Sequence, residues 1–242
     1  MKRSGTVETS GSKRTRSASQ GTLATSQISY ARRKKKSSPE IARYEATLGR
    51  TIGFPKLLKF KHRYHEQFGL TSTTGALNTY NFRCNSLFDP NQTGTGHQPL
   101  YYDNLVAIYR HFTVIGAKCT FRVVPDGSSA QAPFQVTCWI NDDTTSPANI
   151  DTIAESKSSK TVIVGGINPQ QQTVTLYWSG KQFFGVAAYN DDMQGQGVNP
   201  SEQSYFTYSM QPLDKTSSVT ARVLVTIDYI TLWSELSDQA QN

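Results

Sequence analysis

The chain has 242 residues, 36% apolar and 18% charged, with 12 Tyr and 11 Phe and few runs of long helix-forming residues, which favours one mostly β domain with a tail over a helical protein. No window approaches the about 18 consecutive apolar residues of a membrane-spanning helix, and the opening MKRSGTVETSGSKR lacks the apolar segment of a secretory leader, so neither is expected. Sixteen of the 25 Lys and Arg but only three of the 18 acids fall within residues 1–63, and such a basic arm on a mildly acidic body points to a nucleic-acid-binding tail on a globular module.

Residues 1–54 form the arm and its connector. A Ser, Thr, Gly, Lys and Arg segment carrying Lys13, Arg14 and Arg16 leads to the run Arg32, Arg33, Lys34, Lys35 and Lys36. The segment has too little apolar surface to offset the entropy of ordering, so it is expected to be disordered when free. Five consecutive basic residues fit both a nuclear-import signal and an electrostatic clamp on phosphates, two readings that are compatible because each needs exposed positive charge. IARYEATLGR has the composition for a short helix at the domain edge.

The folded domain is expected over residues 55–236, with 237–242 as a tail. From Leu58 the period becomes two, with Leu58, Phe60 and Tyr64 on one face and Lys59, Lys61, Arg63 and His65 on the other, the mark of a half-buried strand. A second strand follows at 77–87, where Tyr80, Phe82 and Cys84 alternate with Asn81, Arg83 and Asn85 until Asp89-Pro90-Asn91 turns the chain. Tyr102, Leu105, Val106 and Tyr109 then fall at helical spacing, predicting a short helix over 102–110. A strand at 115–123 places Lys118 and Arg122 opposite Ala117, Cys119 and Phe121; the next, from Phe134 to Ile140, is separated from it by PDGSSAQAP, which reads as a hairpin turn. Weaker strands at 161–164 and 173–178, a Gly/Asn/Asp-rich loop at 179–201 and a strand at 205–211 lead to the longest alternation in the chain. That is Val219 to Tyr229, with Arg222 on the polar parity and a switch of the apolar parity at Ile230 and Leu232 that fits a bulge or the strand's end. Eight punctuated strands without long helices between them argue for a sandwich.

No enzyme constellation is present: GxSxG, GxxxxGK[ST] and HExxH are all missing. Cys84, Cys119 and Cys138 are odd in number, widely spaced and without a CxxC pair, so they read as buried free thiols, not as a disulfide frame or zinc site. His62 and His65 point to opposite faces of one strand and are read as surface or interface histidines; Asp142-Asp143 and Asp191-Asp192 are read as solvated turn residues. No metal and no cofactor are expected.

FRCNSLFDPN (82–91), GTGHQPLYYD (94–103), VIGAKCTFRV (114–123) and the closing MQPLD and VTIDYITLW resemble the capsid proteins of circular, Rep-encoding single-stranded DNA viruses, the circovirus-like group, over about residues 55–235. The resemblance implies an eight-stranded jelly roll of two sheets, BIDG and CHEF, with a short helix between C and D. It further implies a homo-oligomer of sixty copies in a T=1 shell around a single-stranded DNA genome, found in the virion and the host nucleus through the import machinery, with no catalysis and no membrane insertion. Lys59, Lys61, Arg63, Lys118, Arg122 and Arg222 would then share the outer face of BIDG and line the particle interior. The competing readings are a non-viral single-strand-binding β module and a capsid protein of a small RNA or satellite virus.

Overall fold

Alternation of side chains between a core and a second face drives most of the chain into strands. The computed structural model describes residues 53–126, 132–166, 170–185 and 194–238. The order is β1 (Leu57–Ser72), β2 (Asn78–Arg83), α1 (Tyr102–Val106), β3 (Tyr109–Pro125), β4 (Phe134–Asn141), α2 (Ile150–Ala154), β5 (Lys160–Val164), β6 (Gln172–Ser179), α3 (Gly180–Phe184), β7 (Gln194–Gly195), β8 (Tyr205–Pro212) and β9 (Val219–Leu236). The sheets run β1-β9-β3-β6 and β2-β8-β4-β5, every pair antiparallel. Lettered B to I with β7 set aside, these orders are B-I-D-G and C-H-E-F, so the fold is the expected jelly roll. The two-residue β7 adds a pairing with Phe112 and Thr113 of β3. Lys13, Arg14, Arg16, the run 32–36, the expected disorder and the helix at 41–50 lie outside the described residues.

β9 is the organising strand. It pairs with β1 from Leu57↔Ser234 to Ser72↔Val219 and with β3 from Tyr109↔Leu236 to Pro125↔Ala221. At 18 residues it is longer than its clean alternation indicates. The parity does not switch, because Thr231 and Trp233 continue the buried set while Ile230 stands 40% exposed on the other face. The irregularity sits in the neighbour, where β3 carries a bulge between Val114 and Gly116 opposite Thr231 and Ile230.

Three further expectations are corrected. β3 and β4 are not a hairpin: they belong to different sheets, so the connection between them crosses the sandwich. The helix ends at Val106, and Tyr109 opens β3 because its backbone pairs with Leu236 of β9. His62 is a core residue, 1% exposed. Trp233 Nε1 donates to His62 Nε2 at 3.3 Å, so Nδ1 carries the proton and donates to the Leu100 carbonyl at 3.1 Å; the ring is neutral, and burial lowers its pKa.

Aromatic rings fill the space between the sheets. Phe68, Phe82, Phe121 and Tyr208 meet at one end, and Tyr102, Tyr109, Phe112 and Trp233 at the other. Cys84, Cys119 and Cys138 are free and buried there, with burial pushing each thiol up. Among the described residues no helix is long and apolar enough to cross a membrane.

The outer faces of the two sheets differ. On the β2-β8-β4-β5 sheet, Asn81, Arg83, Thr137, Asn141, Thr207 and Ser209 are all buried. Loops cover them: Asn81 Nδ2 donates to Thr144 O at 3.1 Å, Thr207 Oγ1 shares its one proton between Asn81 Oδ1 and Asn141 Oδ1 at 2.8 and 3.0 Å, and Ile150 and Ile153 of α2 are buried outside the main core. The β1-β9-β3-β6 sheet, in contrast, keeps a solvent face.

His97, in the segment before α1, has both ring nitrogens 2.9 Å from carbonyls, those of Gln98 and His65, and its ring lies 4.7 Å from that of Tyr64, with Glu66 nearby. Only the doubly protonated ring can donate to both, and the two carbonyls raise its pKa. Its stabilisation is therefore complete below the ordinary histidine value of 6.5 and lost as pH rises through the folded value. For His62 the sign is opposite: its contribution is present above 6.5 and lost as pH falls below it. Thermal melts are expected to peak near the ordinary histidine value of 6.5, where both contributions are present. His97→Gln should flatten the alkaline decline specifically, and an unchanged alkaline limb would refute the charged ring.

Candidate nucleic-acid interface

Pleating places odd-numbered residues of β1 and even-numbered residues of β9 and of β3 after its bulge on the solvent face of the β1-β9-β3-β6 sheet. Lys59, Lys61, Arg63, Lys118, Arg122 and Arg222 are all exposed there. The register orders them. Arg63, Asp228 and Lys118 are direct cross-strand neighbours; Lys61 and Lys59 lie opposite Ile230 and Leu232; Arg122 lies opposite Leu224, and Arg222 between Gly69 and Val124. With two residues per row at about 3.3 Å each, the six cations extend over about 33 Å along the strands. They are brought onto one face from positions scattered between 59 and 222.

Acids temper this charge. Arg63 donates to Asp228 through Nε at 2.7 Å and Nη2 at 3.1 Å, and Lys61 Nζ lies 3.8 Å from the same carboxylate. The Arg63 hydrogen bond, with Lys61 and Lys118 adding to it, holds Asp228 below the usual carboxylate range. Arg222 Nε is 2.5 Å from Asp126, which follows the end of β3. Among the described residues Lys59, Lys118 and Arg122 have no ion pair. The face thus holds six cations against two paired carboxylates, leaving a net positive field in solvent.

No family model matches the chain, and no curated protein matches it. Among solved structures it is similar to the 60-mer BFDV capsid protein, at 13% identity and TM-score 0.43, covering 78% of this chain and 100% of that one. It is also similar to Cocksfoot mottle virus, at 12% identity and TM-score 0.44, covering 74% and 96%. A third likeness is the empty head of turnip yellow mosaic virus, at 11% identity and TM-score 0.42, covering 78% and 87%.

Sequence reading missed Tyr177, which closes the Arg63, Asp228, Lys118 row on β6 and is 68% exposed. The signal was present in β6, where Thr173, Thr175 and Tyr177 share the parity opposite buried Val174, Leu176 and Trp178. Among the described residues no group of three metal-ligating side chains gathers. Asp143 instead accepts the Thr145 backbone N–H at 3.0 Å in a local turn, and Asp191 and Asp192 lie outside the described residues.

Proposed function

We propose that the chain is a structural capsid subunit without catalytic activity, a homo-oligomer of sixty copies that packages single-stranded DNA. The observation that carries this reading is a jelly roll with one loop-covered sheet face and one open cationic face, whose first strand continues from the basic arm. The open face of β1-β9-β3-β6 lines the particle interior, and the covered sheet and its loops meet neighbours and solvent. The arm adds non-specific phosphate binding, and Arg32 to Lys36 serve nuclear import as well. Resemblance of the chain's motifs to circovirus-like capsid proteins favours DNA over RNA as cargo.

Electron microscopy of the expressed chain is expected to show uniform closed particles whose contents are degraded by DNase after opening. Replacing Lys59, Lys61, Arg63, Lys118, Arg122 and Arg222 with Gln should preserve the fold, since all six are exposed, and reduce encapsidated nucleic acid per particle. Unchanged packaging in that sixfold variant, or the six side chains found on the outside of an assembled shell, would assign the charge to ordinary solvation.

A further inference from the structure

We infer that Tyr177 is a stacking platform for a base of the single-stranded nucleic acid, flanked by lysines that hold the adjoining phosphates. This rests on the reading of the β1-β9-β3-β6 outer face as the packaging surface and adds to it a contact with the base itself, where the six cations reach only phosphate.

At 68% exposure Tyr177 is the most exposed Phe, Tyr or Trp among the described residues. It sits between Leu176 and Trp178, 2% and 4% exposed, so the pleat of β6 holds the ring outward. Lys118, directly opposite on β3, lies 5.9 Å from the ring centroid, and Lys160 of β5 lies 6.0 Å from it. Lys160 reaches there from the other sheet, its Nζ donating to the Thr175 carbonyl at 2.6 Å. Both ammonium groups stand at the outer limit of cation–π attraction, so little ring contact is lost when they also take anionic partners, and Lys160 can keep its bond to Thr175 with one of its three N–H donors. Beyond the ring opens a groove of ≈ 640 Å³, which Tyr177 lines with Lys157, Trp178, Gln182 and Phe183.

A planar ring beside two lysines, with a third in the groove beyond it and at the end of a row that begins with Arg63, matches a single strand in both of its parts. The π-face takes a base of any identity, and the ammonium groups take the charge on either side of it. Charge decides the occupant. A second copy of the chain would need to bring acids to the ring, whereas nucleic acid supplies a negative charge at every residue.

The test uses the full chain, an oligothymidylate of about 12 nucleotides and an abasic oligomer with the same number of phosphates. Tyr177→Ala is expected to weaken binding of the oligothymidylate about 5- to 150-fold, as loss of one stacked base does, and to leave abasic binding and its salt slope unchanged. Tyr177→Phe keeps the ring and should bind as the parent does. Equal losses on both oligomers, or no loss on either, would overturn the platform. So would a Tyr177→Ala protein whose only defect is in particle formation, because the ring would then be a contact between subunits. The sixfold Gln variant separates the two levels: if it lowers the salt slope while Tyr177→Ala is silent, stacking fails and the packaging face stands; if both are silent, both fail.

Discussion

Deleting residues 1–36 is expected to leave a folded β domain that has lost most of its hold on single-stranded DNA. The segment carries ten Lys and Arg, namely Lys2, Arg3, Lys13, Arg14, Arg16 and Arg32, Arg33, Lys34, Lys35 and Lys36, and the nine strands found among the described residues all lie beyond it. Each phosphate neutralised on a single strand contributes about 0.7 to the slope of log affinity against log salt, so ten contacts amount to about 7 and a loss of about 10⁴-fold between 50 and 200 mM salt. The truncated chain keeps the sheet face, whose six cations include three engaged with Asp228 or Asp126, and should retain a slope of about 2 to 4. Anisotropy titrations of a labelled single strand across salt would read both slopes. Equal slopes for the full and truncated chains would remove the arm from binding, and strong discrimination between unrelated strands at matched salt would contradict a contact made with phosphate. Neutralising Arg32 to Lys36 alone should remove about half of the arm's slope and reduce nuclear accumulation of a fluorescent fusion.

What was legible in the sequence followed the physical difference between the two sheets. Strands β1, β3 and β9 have one face in the core and one in water, so their composition alternates and the rows of cations are readable from the sequence. The legible signal degraded wherever that contrast was absent. On β2 and β8 the outer face is covered by loops, so Asn81, Arg83, Thr207 and Ser209 look solvent-facing although none is more than 9% exposed. Thr231 hid the last turns of β9 because its hydroxyl donates to the Phe60 carbonyl at 3.0 Å inside the protein, where an apolar residue would have declared the parity. His62 was hidden for the same reason, its two ring nitrogens being satisfied by Trp233 and Leu100. The β3–β4 connection has the composition of a hairpin turn, and composition cannot say whether a turn returns to its own sheet or crosses to the other. Tyr177 was missed because tyrosine fits either face of a strand, and only its neighbours' burial places it outside.

Arg83 is the buried polar residue whose loss should be felt most. Its side chain is 11% exposed and lies under the loops that cover the β2-β8-β4-β5 sheet. Nη1 donates to Asp89 Oδ2 at 2.9 Å, to Asp89 O at 2.8 Å and to Asn91 O at 3.3 Å; Nε donates to Gln203 Oε1 at 2.6 Å. The guanidinium thus joins the turn after β2 to the segment before β8, two loops far apart in sequence. Its backbone is engaged as well, the N–H donating to Pro90 O at 2.7 Å and the carbonyl accepting from Tyr229 OH at 2.8 Å, but those bonds survive a side-chain change. Truncation to alanine leaves the Asp89 carboxylate, itself 20% exposed, and the Gln203 amide oxygen without this donor. Removing one partner of such a pair costs about 3–5 kcal/mol, which for a domain of this size lowers the melting midpoint by about 6–20 °C. Lysine restores the charge but only as a point donor, so Arg83→Lys should recover part of the loss, and Arg83→Met with Asp89→Asn should recover part by removing the orphaned charge. Urea unfolding of the parent, Arg83→Met, Asp89→Asn and the double variant measures the coupling. Nucleic-acid affinity at low temperature should be unchanged throughout, since Arg83 is buried on the sheet opposite the cationic face. An Arg83→Ala protein within about 0.5 kcal/mol of the parent would place the cluster in solvent and remove the reason why the two outer faces differ.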